Sequence, residues 1–233
     1  MTSTSSGPSG PWSWVVAHRD LLALGLLVLT LTTWNLTRDP VVPDDYHLTA
    51  NVVLTAAVLA VGRAGALRAD DLGLRRDRLG PGAAWGSAAV LLVLVVLVVG
   101  VLVAPSAFRD DQVDVGTRTM LFQVLVQIPL ATVMFEEVAF RGVLLGLLRR
   151  RLPTWPAVAV SAVLFGLWHV DGVVQRHGGP GLAAAVVGTL AATTVAGVGF
   201  AWLRVRSDSL VAPMLAHWAT NSLAFVVAWV RWH

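Results

Sequence analysis

Apolar residues dominate seven stretches of this chain, and short polar connections separate them. A helix that crosses a lipid bilayer needs about 20 mostly apolar residues. Seven stretches approach that length, at approximately residues 21–36, 48–62, 83–104, 119–148, 154–170, 180–203 and 209–230. The third contains no charged residue, and the second is the shortest. The pattern predicts an all-α fold, a polytopic transmembrane helix bundle of about seven spans.

Composition supports the same class. Of the 233 residues, 56% are hydrophobic and 13% are charged, whereas a soluble domain is about 25% charged. Both a soluble enzyme and a disordered chain are therefore disfavoured. The chain has no cysteine, which excludes disulfides, thiol nucleophiles and cysteine-ligated metals.

The basic residues indicate the orientation in the membrane. All 17 are arginine, a usage typical of a GC-rich bacterial genome. With the N-terminus inside, 11 arginines fall in inner segments and five in outer ones, while Arg141 lies within a span. Because positive charge accumulates inside, we expect an integral protein of the bacterial plasma membrane, with a cytoplasmic N-terminus and the C-terminus outside. No aromatic-interleaved basic face occurs, so nucleic acid is not an expected partner.

The N-terminal end is predicted to be a polar tail. Residues 1–17 begin with a stretch rich in Ser, Gly and Pro, and we expect them to be disordered. No small-x-small cleavage site clearly follows the first apolar stretch. That stretch is therefore predicted to be an uncleaved anchor.

A few polar residues stand inside the apolar stretches. Ionisable groups at membrane depth are costly and usually mark function. Counted at about 1.5 Å per residue from the inner ends of their helices, these groups lie roughly 12–22 Å deep and share one layer. They are Glu136, Glu137 and Arg141 in the fourth stretch, His169 at the end of the fifth, and His217 and Asn221 in the seventh.

The spacing of these residues predicts which of them meet within a helix. Glu137 and Arg141 are four residues apart and therefore lie on one face, where an ion pair would lower the cost of both charges. His217 and Asn221 share a face for the same reason. Glu136 is rotated by about 100° from Glu137, and no local partner is evident for it.

The residue types point to hydrolysis. A carboxylate and an imidazole can hold and deprotonate a water molecule, and a second histidine with an asparagine can stabilise an oxyanion. Alternatively, Glu with two His can bind zinc and leave a position open for water. Two mechanisms therefore stay open. In one, His169 and His217 bind zinc or another divalent metal, and in the other no metal is used. No G-x-S-x-G elbow occurs, so a serine triad has little support.

Three short blocks around these residues resemble the CPBP family, also called the type II CAAX prenyl endopeptidase or Abi family. The family has E-E-x-x-x-R, F-x-x-x-H and H-x-x-x-N in this order on membrane helices. Here they stand at Glu136–Arg141, Phe165–His169 and His217–Asn221. The resemblance implies a catalytic core over residues 118–231, preceded by a variable set of helices over residues 18–117.

The resemblance also implies roles. Glu136 and His169 would activate the water, and His217 and Asn221 would shape the oxyanion site. The remaining block residues would support them: Glu137, Arg141 and Phe165.

The expected function is therefore an intramembrane endopeptidase of a family named for metalloproteases. Its substrate would be a membrane-embedded or lipidated protein or peptide in the lipid bilayer, with a CAAX-type prenylated protein as one case. Two alternatives stay open. One is a non-proteolytic immunity or scaffold protein of the same fold, and the other is a proton-coupled transporter that uses Glu136 and the histidines as a relay.

Overall fold

The computed structural model describes residues 11–108, 113–176 and 178–233, and no strand occurs among them. The helices are α1 Pro11–Val41, α2 His47–Ala64, α3 Ala69–Leu72, α4 Leu79–Val103, α5 Thr117–Phe122, α6 Met134–Glu136, α7 Leu145–Leu148, α8 Thr154–Trp168, α9 Val170–Arg176, α10 Leu182–Ser207, α11 Val211–Trp218 and α12 Ala224–Trp232. Short 3₁₀ turns occur at Asp44–Tyr46, Arg76–Arg78, Pro105–Phe108 and Gly179–Gly181.

Seven helical units in the described part are long and apolar enough to cross a membrane. In chain order these spans are Val15–Arg38, His47–Ala64, Ala69–Val103, Thr117–Leu148, Thr154–Arg176, Gly179–Ser207 and Val211–Trp232. Helices suit this environment because each satisfies its backbone hydrogen bonds internally. The predicted all-α bundle of about seven spans is confirmed, including its short second member, and the chain is an integral membrane protein.

The helix ends differ from the predicted ones by several residues. The helix α1 begins at Pro11, before the predicted end of the tail at residue 17. Proline is well tolerated in the first turn of a helix, where its missing N–H would have no partner. The helix α10 extends to Ser207, beyond the predicted end at residue 203. Its final turn is polar, so a search for apolar stretches does not detect it. Residues 1–10 of the tail, and Arg109 on the outer side, lie outside the described residues.

The fourth span lies at the centre of the bundle. Every residue from 135 to 148 is buried, including its three charged side chains. The helix α4 shows the opposite pattern, since most of its large side chains, such as Leu91 and Val95, are exposed. An exposed apolar surface of this extent is that of a lipid-facing helix. The central position of the fourth span explains how it can hold charges.

The helical pitch changes near the polar residues. The fourth span is π-helical at Gln123–Val133 and Glu137–Leu144, and the seventh is π-helical at Ala219–Leu223. Glu136 closes the single α-helical turn between the first two segments. The π-helical geometry is rare and is found mostly at functional sites.

Small residues bring α8 and α10 into close contact. A Cβ atom on Gly166 would lie 3.0 Å from the Leu190 carbonyl oxygen and would overlap the Thr194 hydroxyl. A Cβ atom on Gly197 would lie 3.1 Å from the Cα atom of Ala162. Membrane helices pack closely through such residues. The contact places the end of α8, where His169 follows, against the centre of the bundle.

The arginine-rich end of the bundle is joined by polar contacts. Arg204 is buried, and it donates to the Asp71 carbonyl oxygen at 3.0 Å and to the Asp208 carboxylate at 3.3 Å. Gly73 adopts a φ of 74° and packs so closely that a Cβ atom would overlap the Arg204 guanidinium. Both features require glycine at this turn. These contacts hold the end of α10 against the connection that precedes α4.

Candidate active site

A buried ion pair forms the base of the site. Arg141 Nη1 donates to Glu137 Oε1 at 2.9 Å, and both side chains are completely buried. The guanidinium carbon of Arg141 lies 3.9 Å from the centre of the Phe165 ring and 5.1 Å from that of Phe200. Both distances allow cation–π attraction. The predicted pair of Glu137 and Arg141 is therefore present, and aromatic rings enclose its positive end.

The same carboxylate orients His217. Its Nδ1 atom lies 2.8 Å from Glu137 Oε1, and the side chain is almost fully buried. Because an ionised carboxylate only accepts hydrogen bonds, Nδ1 carries the proton and Nε2 has a free lone pair. Asn221 Nδ2 lies 3.3 Å from that Nε2 and donates to it. Phe200 stacks on the imidazole, with ring centres 4.8 Å apart. The network thus sets both the tautomer and the direction of Nε2.

The backbone of α8 orients His169. Its Nδ1 atom donates to the Phe165 carbonyl oxygen at 2.8 Å, so Nε2 carries the lone pair. The ring also meets that of Phe165 edge-on, with centres 4.6 Å apart. The side chain of His169 is 29% exposed, unlike that of His217. His169 therefore has contact with the open space of the site.

The carboxylate of Glu136 lies between the two imidazoles. Its Oε1 atom accepts a hydrogen bond from the Trp168 indole Nε1 at 3.2 Å. Its Oε2 atom is buried and has no hydrogen-bond partner among the described residues. That oxygen lies 3.8 Å from His169 Nε2 and 3.8 Å from His217 Nε2. Three acceptor atoms therefore converge at distances too long for direct hydrogen bonds.

A polar cavity opens beside these groups. Its volume is about 430 Å³, and its wall includes Glu136, His169 and Asn221. His217 is not on this wall, and its side chain is almost fully buried. A second cleft of about 450 Å³ also has Trp168 in its wall and is mostly apolar, with Leu31, Phe140, Leu164 and Leu167 among its lining residues. Trp168 therefore contributes to the wall of a polar space and to that of an apolar one.

The fold brings all seven predicted site residues together. The i, i+4 pairs form as expected, and the three helices converge around Glu136. The site also contains two aromatic residues to which the sequence analysis assigned no chemistry. Trp168 is buried, and its indole donates a hydrogen bond to Glu136. Phe200 lies in the sixth span and carried no signal, because an apolar residue in an apolar stretch is unremarkable. The position of Trp168 beside His169 was the available clue.

A metal ion does not fit this arrangement directly. Two imidazoles and a carboxylate are suitable zinc ligands, but two ligands on one tetrahedral zinc lie about 3.4 Å apart. The Glu136–histidine distances of 3.8 Å are longer. Among the described residues, no group of three or more His, Asp or Glu side chains is arranged to hold a metal. The metal-binding role expected for His169 and His217 stays a prediction.

The fold and the buried cluster define a polytopic membrane protein with a carboxylate–histidine site in its interior. Residues 117–223 match the family model described as type II CAAX prenyl endopeptidase Rce1-like. The match spans just under half of the chain and confirms the predicted resemblance. The cluster of Glu136, Glu137 and His217 is consistent with the active site of the family. No curated protein matches the chain, and no solved structure does.

Proposed function

We propose that this protein is an intramembrane endopeptidase that hydrolyses a peptide bond of a membrane-associated protein. One observation carries the proposal: Glu136 Oε2 and two imidazole Nε2 atoms converge, with no donor among the described residues for the buried carboxylate oxygen. A water molecule supplies two O–H donors and satisfies such a group. The same carboxylate can then remove a proton from that water.

The proposed reaction begins with this water between Glu136 and His169. Glu136 accepts a proton, and the hydroxide attacks the carbonyl carbon of the peptide bond. The carbonyl oxygen becomes an oxyanion in the tetrahedral intermediate. When the bond to nitrogen breaks, the proton held by Glu136 passes to the leaving amine. Atoms and charges balance without a covalent intermediate.

Asn221 is the proposed donor to the oxyanion. One N–H of its amide is directed to His217 Nε2, and the other remains for a ligand in the cavity that Asn221 lines. His217 in its assigned tautomer has no proton on Nε2, so we assign it to holding the Asn221 amide. This differs from the role implied by the resemblance, in which both residues donate to the oxyanion.

The apolar cleft supports a membrane-associated substrate. It lies between α1 and α8 and adjoins the polar cavity at Trp168. A lipid chain or an apolar segment in this cleft would place the adjacent peptide near Glu136. A substrate that enters sideways between helices, including a prenylated CAAX protein, fits this arrangement.

Two variants test the proposal. We expect Glu136→Gln and His169→Ala to abolish cleavage of a prenylated CAAX peptide by protein in liposomes, while both remain membrane-inserted. Asp77→Asn and His233→Ala are matched controls, because both residues are exposed and lie outside the cavity. Comparing the termini of membrane proteins in cells that carry the wild type or Glu136→Gln would identify natural substrates. Full activity in Glu136→Gln would contradict the mechanism.

The cofactor and the alternatives need separate measurements. Metal analysis of purified protein, combined with chelator treatment, tests whether the water is metal-bound. Substrate-dependent proton flux in liposomes without proteolysis would favour a transporter. A cellular phenotype that survives Glu136→Gln would favour a scaffold or immunity protein.

A further inference from the structure

One polar residue of the first span is buried in an otherwise apolar contact face. Four buried side chains of α1 recur every four residues, at Ala23, Leu27, Leu31 and Asn35, and therefore form one stripe along the helix. The side chain of Asn35 is 8% exposed. Burial of an amide is costly unless it is hydrogen-bonded. A residue with a packing role alone would be apolar here, as Leu27 and Leu31 are, so the amide of Asn35 needs a further explanation.

The amide of Asn35 holds the end of α8. Its Nδ2 atom donates to the Trp168 carbonyl oxygen at 3.1 Å, across 133 positions of sequence. Because only the nitrogen of an amide can donate to a carbonyl oxygen, this contact fixes the orientation of the side chain. The Oδ1 atom is buried and has no hydrogen-bond partner among the described residues. The bond to Trp168 is therefore the one hydrogen bond that the Asn35 side chain makes within the described part of the chain.

Trp168 stands where the fifth span is interrupted. The helix α8 ends at Trp168, and α9 begins at Val170. Carbonyl groups in the last turn of a helix lack partners within that helix, so a donor from a neighbouring span can fix the backbone there. The indole of the same residue donates to Glu136 Oε1 at 3.2 Å. Asn35 thus holds the backbone of the residue whose side chain orients the proposed general base.

The ring contacts of Trp168 with the fourth span do not fix its direction as strongly. Its ring centre lies 5.8 Å from that of Phe135 and 5.8 Å from that of Phe140. Apolar burial of this kind is largely non-directional, whereas a hydrogen bond weakens steeply when its angle changes. The bond from Asn35 to the backbone and the bond from the indole to Glu136 are therefore the contacts that set the orientation of Trp168.

We propose that Asn35 is a positioning residue, which fixes the Trp168 backbone so that the indole stays directed at Glu136. This inference rests on the proposed function, because it concerns the general base of that reaction. It also adds a residue from outside the family match, since residues 117–223 do not include the first span. The competing explanation is that Asn35 only joins two helices, as asparagine often does in membranes, and the tests separate the two.

The first test compares cleavage of a prenylated CAAX peptide by variants in liposomes. Asn35→Leu continues the apolar stripe of α1, and Asn35→Ala removes the amide without adding bulk. We expect kcat to fall at least about threefold in both, the size of one ordinary hydrogen bond. The loss should be in kcat, because Asn35 acts on the general base and not on substrate binding. Thr33→Val is the matched control, since Thr33 is an exposed residue of α1 that lines neither cavity, and it should retain the wild-type kcat.

A double-mutant cycle with Trp168→Phe tests the route of the effect. If Asn35 acts through the indole, Asn35→Leu should change kcat by less than about twofold in a protein that already carries Trp168→Phe. A role in joining helices does not depend on the indole, so it would lower kcat by the same factor in both backgrounds.

A second readout does not require cleavage. Protein labelled with 5-fluorotryptophan gives a fluorine NMR resonance for Trp168, which is assigned by its loss in Trp168→Phe. We expect this resonance to shift in Asn35→Leu and to stay in place in Thr33→Val, because only the first change releases the Trp168 backbone. If Asn35→Leu does not insert into the membrane, Asn35→Ala replaces it in every comparison.

Three results would overturn the inference. They are a Trp168 resonance that is unchanged in Asn35→Leu, kcat losses that multiply in the cycle, and a loss confined to KM, which would make Asn35 a substrate contact in the apolar cleft. A shifted resonance in Asn35→Leu, together with a wild-type protein that cleaves nothing, would support the positioning of Trp168 and contradict only the proposed function.

Discussion

Replacing Arg141 by methionine tests how the protein keeps charge inside the membrane. Arg141 and Glu137 are both completely buried, and their closest atoms are 2.9 Å apart. Methionine retains a long apolar side chain and removes the charge. The substitution therefore leaves the Glu137 carboxylate buried without its cation.

The expected loss of stability follows from this geometry. Two unit charges about 4 Å apart attract by about 4 kcal/mol at the effective dielectric constant of about 20 that suits proteins. Removal of one partner from a buried ion pair costs about 3–5 kcal/mol in measured cases. We therefore expect Arg141→Met to lower the free energy of unfolding by about 3–5 kcal/mol. Loss of the cation–π contact with Phe165 adds to this cost.

A double-mutant cycle isolates the pair. Glu137→Gln alone leaves Arg141 without its carboxylate, and it should also be strongly destabilising. The double variant has no buried charge at either position. Its loss in the free energy of unfolding should therefore be smaller than the sum of the losses of the two single variants, by at least about 2 kcal/mol. The His217 Nδ1–H can still donate to the amide oxygen of Gln at position 137.

The assay is unfolding of the detergent-solubilised protein by increasing fractions of sodium dodecyl sulfate, followed by tryptophan fluorescence. Arg151→Met is the control, because Arg151 pairs with Asp20 at 2.6 Å but is 44% exposed. Its loss of stability should be much smaller, because an exposed ion pair contributes little to the free energy of unfolding. Additive losses in the cycle, or a cost for Arg141→Met no larger than that of the control, would refute the reasoning.

Three further predictions concern activity, packing and orientation. Trp168→Phe keeps an aromatic ring but removes the indole donor to Glu136, and cleavage of the CAAX peptide should fall at least about tenfold; unchanged cleavage would show that this hydrogen bond is dispensable. Gly166→Leu should destabilise the protein by about 1–3 kcal/mol or more in the same unfolding assay, because a side chain there overlaps α10; a neutral result would contradict the close packing. The chain has no cysteine, so single cysteines report orientation. A membrane-impermeant maleimide on intact cells should label Gly178→Cys and not Leu74→Cys, and the reverse pattern would invert the proposed topology.

The parts of the fold that depend on local sequence were predictable. A span requires only a sufficiently long apolar stretch, and all seven stretches became helical units of this kind. Pairs within one helix were equally accessible, because a separation of four residues places two side chains on one face. The pairs of Glu137 with Arg141 and of His217 with Asn221 follow from this rule.

Helix boundaries were less predictable. The end of α10 at Ser207 lies in polar sequence, where hydropathy carries no signal, and the start of α1 at Pro11 directly follows the stretch rich in Ser, Gly and Pro. The π-helical segments were also unforeseen. The Glu137–Arg141 pair nevertheless forms within one of them.

The sequence alone determined which polar residues stand inside the apolar spans, because a span requires only a sufficiently long apolar stretch. Tertiary structure decided which of them meet. The bond between Trp168 and Glu136 joins residues 32 positions apart, and the one between His217 and Glu137 joins residues 80 apart. Such contacts depend on how each helix is rotated about its axis and on how closely its neighbours approach. Shape complementarity between distant surfaces sets both, as at Gly166 and α10, and no local pattern encodes it. The same packing brings Asn35 of the first span to the Trp168 carbonyl oxygen.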